Sequence, residues 1–268
     1  MNAANNQANQ DEAMLLRSDE GGVSTLTLNR PLQFNTLSFA MLEQLIATID
    51  AIAADDSVQV VVIAGAGKAF CAGHDLKEMR GNHELEFQRR LFQLCGKFMM
   101  KLTTLPQPVI ARVHGIATAA GCQLVSMCDL AVAADVARFA VSGINVGLFC
   151  ATPGVGLSRN MGRKQAFEML VTGDFIDAHE AQRRGLINRV VAADELDAEV
   201  GRLAASILAK SPLAIRMGKQ MFYQQLESGL EAAYQLAAET MACNAMSEDA
   251  AEGMSAFAEK RSPVWRGC

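Results

Sequence analysis

Two stretches carry residues whose types and spacing can do chemistry. The first, Gly65 to Met79, reads GAGKAFCAGHDLKEM; the second, His114 to Cys128, reads HGIATAAGCQLVSMC. The first is no phosphate-binding P-loop, because Gly65-Ala66-Gly67-Lys68 runs into Ala69 with the wrong glycine spacing. Nor is it a dinucleotide fingerprint, since Phe70 stands at the third glycine position. Its small residues instead let backbone N–H groups approach a ligand closely. In the second stretch Ala119, Ala120 and Gly121 leave a helix N-terminus unshielded, where free N–H groups and the helix dipole favour a developing negative charge. Two N–H sources on separate segments make an oxyanion hole; the alternative reading is ordinary strand–turn–helix packing.

Other reactive types are present without a supporting pattern. The seven cysteines are an odd set with no CxxC pair, several of them in apolar surroundings, which suits small buried hydrophobes in a reducing cytoplasm. Cys122 and Cys150 have no adjacent base that would make either a nucleophile. The histidines, His74, His83, His114 and His179, are scattered without metal-ligand spacing. Asp129 follows the second stretch and is expected to close its helix or pair with a basic side chain.

The elements that must position these stretches follow from hydrophobic period. Val23 to Leu28 alternates as a half-buried strand, while Val58 to Ala64 is a nearly continuous apolar run, as in a strand covered on both faces. Ser38 caps a helix with Leu42, Leu45, Ile46, Ile49 and Ile52 on one face, and Leu91 to Leu102 marks another. Val109 to Val113 and Leu130 to Ala134 are two further short strands, with a buried helix running from the small-residue stretch to Cys128. Asp177 and Glu180 cap a short helix closed by Gly185; Ser211-Pro212 and Ser247 open two more. The division expected is a disordered polar tail over 1–13, an α/β core over 14–193 and a helical region over 194–268.

Composition sets the outer limits. Half of the 268 residues are apolar, enough for a sizeable core, and a net charge of −5 gives no electrostatic reason to bind nucleic acid or an anionic membrane. No uncharged apolar run approaches the roughly 18 residues of a membrane span. The Asn/Gln-rich start lacks both the apolar segment of a secretion signal and the arginines of a transit peptide, so a cytoplasmic location is expected.

KAFCAGHDLKEM, HGIATAAGCQLVSMCDLAVA, TPGVGLSRNMG, VTGDFIDAHEAQRRGLINRVV and EGMSAFAEKR, in this order, resemble the crotonase superfamily of enoyl-CoA hydratases and isomerases, over about Leu16 to Trp265. The resemblance implies a spiral of ββα repeats, a C-terminal helical region that builds homotrimers or homohexamers, and a coenzyme A thioester as ligand, with no permanently bound cofactor and no metal. It implies that the backbone N–H groups of His74 and Ala120 grip the thioester oxygen, that Ala72, Asp75, Leu76 and Lys77 form the wall holding adenine and pantetheine, and that Phe257 and Lys260 meet the coenzyme from a neighbouring subunit. Lys68 and Lys77 are the candidates for its phosphates.

The sequence departs from that pattern at both proton-transfer positions. Where a standard hydratase carries two glutamates, this chain has Gln123 and Gly143. Glutamine does not titrate near neutrality and glycine has no side chain, and losing general acid–base help costs about 10²–10⁴ in rate per group. If only these groups are missing, glutamate at both positions restores hydration. The alternatives are a non-catalytic acyl-CoA binder, or an oligomeric scaffold with a vestigial pocket.

Overall fold

The computed structural model describes residues 13–268. The expected disordered tail therefore lies outside the described residues except for Ala13, whose carbonyl accepts from Asn29 Nδ2 at 3.0 Å. Strand β1 (Leu15–Glu20) and strand β2 (Val23–Leu28) form an antiparallel hairpin, turning through Gly21 and Gly22, both at positive φ. β1 is largely exposed and polar, and its pairing with β2 rather than any pattern of its own makes it a strand. Helix α1 (Phe39–Ala53) starts where Ser38 Oγ accepts the Met41 N–H, as the sequence predicts.

Strands then enter two sheets alternately. β3 (Val60–Gly65) is followed by β4 (Ala69–Cys71), helix α2 (Leu76–Gly81) and α3 (Leu85–Thr104). β5 (Val109–Val113) is followed by β6 (Ile116–Thr118) and α4 (Ala120–Met127), and β7 (Leu130–Ala134) by β8 (Arg138–Ala140), α5 (Ala151–Asn160) and α6 (Arg163–Thr172). β9 (Ile176–Asp177), α7 (Ala178–Arg183) and β10 (Arg189–Val191) complete the core. One sheet has the order β1-β2-β3-β5-β7-β10 and the other β4-β6-β8-β9. Each turn thus places its first strand in the larger sheet and its second in the smaller one before a helix closes it: the expected spiral of ββα repeats. β3 begins two residues later than expected, because the Val58 N–H is taken by Asp55 O in the turn that ends α1.

Continuous apolar strands are explained by what covers them. One face of the larger sheet joins the main core with α1, α3 and α4, through Val61, Ile63, Val109, Ala111 and Ala131 among others. On the opposite face Val60, Val62, Ile110 and Val132 pack against Leu196, Val200 and Leu203 of helix α8 (Leu196–Leu208). Each such side chain contributes about 1.5–3 kcal/mol when fully buried.

The remaining helices are α9 (Pro212–Leu226), α10 (Leu230–Ala245) and α11 (Glu248–Glu259), with Ser211 and Ser247 as side-chain caps. A buried cluster ties α9 to the core. Lys219 Nζ meets Asp129 Oδ2 at 2.6 Å and donates to the Leu102 and Gln107 carbonyls, while the Tyr223 hydroxyl donates to Asp129 Oδ1 and the Val109 N–H to Oδ2. Asp129, just past the end of α4, is thus paired with a basic side chain as expected. Among the described residues no helix is long and apolar enough to cross a membrane.

Candidate functional site

Contact between the two small-residue stretches is set by Gly73. It adopts φ +91°, and a Cβ there would stand 2.8 Å from Ala119 Cβ and 3.1 Å from Ala120 N. The turn carrying His74 therefore lies directly on the first residue of α4, at a spacing only glycine permits. Two bonds to the preceding chain hold it: Leu37 N–H to Gly73 O (2.8 Å) and Ala72 N–H to Phe34 O (3.0 Å). Buried Asn35 supports the same loop through the Arg30 N–H and the Ala66 and Ala69 carbonyls.

From the other side, Ala119 is held at φ 51°, ψ −121°, a conformation L residues avoid, while its N–H donates to Ala140 O at 3.0 Å. The next residue opens α4. Gly121 presses that helix against β4 so closely that an added Cβ would run into the Cys71 carbonyl oxygen. Among the described residues, neither the His74 nor the Ala120 N–H donates to a backbone acceptor outside the regular helix and strand ladders, and Ala120, as the first helical residue, has no intrahelical acceptor. Two amide donors on touching turns are the arrangement that stabilises an oxyanion, with one such donor worth about 2.7–4 kcal/mol.

The positions of the missing glutamates differ in kind. Gln123 sits one turn into α4, 4% exposed, with its Oε1 buried and unpartnered. Gly143 lies in a short 3-10 turn (Ser142–Val146), where a Cβ would stand 2.6 Å from Leu148 O and 2.7 Å from Cys150 Sγ. The turn from Leu148 to Cys150 fills the space a side chain at 143 needs, so a glutamate there requires that turn to move. Beside it the Thr118 and Ser142 hydroxyls bond each other at 2.8 Å.

Titration follows burial. The Cys122 and Cys71 thiols are pushed up to about 12 by loss of solvent, and burial also raises Cys150, so none is a ready thiolate. Burial lowers both His74 and His114, which the Leu37 and Gly67 carbonyls respectively only partly offset. The His74 ring bonds Leu37 O through Nδ1 (3.2 Å), stands edge-on to Phe92 of α3 (centroids 5.4 Å apart), and leaves Nε2 buried without a partner. His114 Nε2 bonds Gly67 O at 3.0 Å.

Asp75 accepts from the Lys77 and Glu78 N–H groups as the cap of α2 and pairs with Arg30 at 3.2 Å. Burial alone would raise its carboxyl, but the Glu78 N–H and the Arg30 guanidinium hold it below the ordinary value. Ala72 is half-buried, and Leu76 and Lys77 are exposed at the start of α2. Phe257, 88% exposed, and Lys260 lie at the end of α11, which packs on α9 and α10. Neither is hydrogen-bonded or ion-paired with the 72–77 turn among the described residues. Sequence reasoning missed Phe92 beside His74, which α3 brings back from eighteen residues on, and Cys150 beside Gly143, which meets it only because the 142–150 turn folds on itself.

Together the two-sheet spiral and this junction of turns define a crotonase-fold protein. The chain belongs to the enoyl-CoA hydratase/isomerase family, whose model matches residues 18–268. It is similar to an enoyl-CoA hydratase of Mycobacterium smegmatis of known structure, at 60% identity, covering 95% of this chain and 99% of that one, with a TM-score of 0.94. It is also similar to the crystal structure of human enoyl-CoA hydratase domain-containing protein 3, at 44% identity, 94% and 100% coverage and a TM-score of 0.92. Its relative in Xenopus laevis, enoyl-CoA hydratase domain-containing protein 3, mitochondrial, is 43% identical over 96% of this chain and 87% of its own length. That relative and its vertebrate counterparts are named as mitochondrial, which overturns the cytoplasmic expectation. The expectation rested on the composition of the first residues, which carries less weight than the location given to relatives matching almost the whole chain.

Proposed function

We propose that this protein processes acyl-CoA thioesters by polarising the thioester carbonyl between the His74 and Ala120 backbone N–H groups, without the carboxylate pair of a standard hydratase. The observation that carries the reading is the Gly73–Ala120 contact, which sets the two amide-bearing turns against each other and leaves their donors uncommitted. Coenzyme A is the ligand class the family match favours, with Ala72, Asp75, Leu76 and Lys77 along its path and Phe257 and Lys260 supplied by a second copy.

A second reading, a non-catalytic acyl-CoA binder, is favoured by the closed space at Gly143. The two are separated by following the loss of enoyl absorbance with crotonyl-CoA and a longer enoyl-CoA, alongside calorimetric binding of butyryl-CoA. Binding that is lost in Ala120→Leu supports the polarising pair; absence of binding in the native protein sinks both readings. Given binding, turnover supports the enzyme and its absence the binder.

Self-association is part of the proposal. Leu230, Tyr234, Met241 and Met246 on and beside α10 are each more than two-thirds exposed. Apolar exposure on this scale fits burial against other copies in a homotrimer or homohexamer. A single-chain mass by light scattering would sink this part.

A further inference from the structure

We propose that residues 261–268 are a strap, latched on the buried Asp249, that holds helix α11 on the body of the protein. Strap and α11 detach and re-dock together as one arm, while the spiral core stays folded.

The chain reverses at Lys260. This residue adopts φ 56°, ψ 39°, and the Lys260 and Arg261 N–H groups reach back to Phe257 O (3.3 Å) and Ala256 O (3.0 Å). From there the chain returns along α11 with no helix or strand of its own. The Val264 N–H donates to Glu252 Oε1 at 2.8 Å, and the Arg261 guanidinium spans both oxygens of the same carboxylate. Trp265 lies on Gly253, where a Cβ would stand 3.2 Å from the indole ring, and its N–H donates to Ala209 O at the end of α8 (2.9 Å). The Arg266 and Gly267 N–H groups donate to the Asp249 carboxylate (2.7 and 3.2 Å), while the Asp249 N–H donates to Cys268 O at 3.1 Å. Asp249 is 1% exposed and also accepts, at 2.5 Å, the hydroxyl of Ser211, which caps α9. One buried carboxylate thus joins the strap, the first turn of α11 and the corner between α8 and α9.

Little else holds α11. Of its twelve residues only Asp249 and Ala256 are buried, and both sit at the bonds just described. Its large apolar side chains, Met254 and Phe257, are exposed. A helix of this length is marginal in water on its own, so its place depends on what ties it down. The tie is also all-or-none. The three groups that donate to Asp249 are two backbone N–H groups and one hydroxyl, and a buried carboxylate that loses any of them must be rehydrated. Water reaches it only when the strap and the first turn of α11 part from Ser211 together.

The test is amide hydrogen exchange on the full chain, native and with Asp249→Ala or Trp265→Ala, two changes that touch the strap at different points. Each variant should raise exchange by about 10-fold or more, by one common factor along the whole of 247–268. The amides of β3, β5 and β7 should keep their native protection. A rise confined to the residues around the substituted side chain overturns the inference, because the contacts then open singly. A rise that spreads into those core strands overturns it as well, because α11 is then part of the core. Native protein in increasing sub-denaturing urea covers the case of a poorly folded variant. There the protected amides of α11 and the strap should converge on one opening free energy, below that of the core strands. Convergence with the core strands, or opening at unrelated free energies along 247–268, overturns the inference.

Discussion

Ala119 occupies a conformation, φ 51° and ψ −121°, that glycine would adopt without strain, and the strain it bears aims the first turn of α4 at the Gly73 loop. Replacing it with glycine removes the Cβ conflict but loosens the unfolded chain, and the balance favours the variant. Ala119→Gly is expected to raise stability by about 1 kcal/mol in denaturant unfolding, with acyl-CoA binding retained. At Gly143 the expectation has the opposite sign. Gly143→Ala sets a methyl group against Leu148 O and Cys150 Sγ, and should lower stability by about 1–3 kcal/mol. Cys150→Ala frees part of that space, so the two changes together should cost less than their sum. Additive costs in that cycle would refute direct packing between the two residues.

Among the elements, those with their own capping chemistry are legible in the sequence. Ser38, Asp177, Ser211 and Ser247 each accept a backbone N–H three residues on, and each does open a helix. Strands β4, β6, β8 and β9 have at most three residues each, too few to show alternation. They exist because neighbours across the smaller sheet supply their hydrogen bonds. The candidate site divides along the same line. Its backbone donors show in runs of small residues, whereas the Phe92–His74 and Cys150–Gly143 contacts depend on how α3 and the 142–150 turn return to the centre. The Asp129–Lys219–Tyr223 cluster gives an element-scale expectation. Burial pushes the Lys219 ammonium down and Asp129 opposes that shift, so Asp129→Ala leaves a buried charge unpaired and should cost about 3–5 kcal/mol. Lys219→Met leaves the Asp129 carboxylate without its cation, held only by the Tyr223 hydroxyl and the Val109 N–H, and should cost a comparable amount. A negligible loss in either variant by chemical denaturation would show that the cluster is not acting as an ion pair.

For the whole molecule, two partly buried histidines set an acid limit. His74 and His114 both lie below the ordinary value of 6.5 in the fold. As pH falls through 6.5, the unfolded chain takes up protons that the folded chain refuses, so stability declines until the folded pKa values are passed. Unfolding midpoints should therefore drop as pH falls through about 6.5. The double variant His74→Asn, His114→Gln, which keeps amides for Leu37 O and Gly67 O, should flatten that decline. An unchanged slope would assign the acid sensitivity to other groups. The lowered carboxyls, Glu252 at about 2 among them, act in a separate and more acidic range.

Gly121 limits how this fold can diversify. Because α4 already rests on the Cys71 backbone with no room for a methyl group, the start of α4 cannot move closer to β4 to widen the junction. Apart from the tight packing at Gly143, the 142–150 turn is open, with Val146 and Phe149 reaching solvent. On the proposed function, directed evolution toward other acyl groups has more room in that turn than in the close-packed junction of Gly73, Ala120 and Gly121.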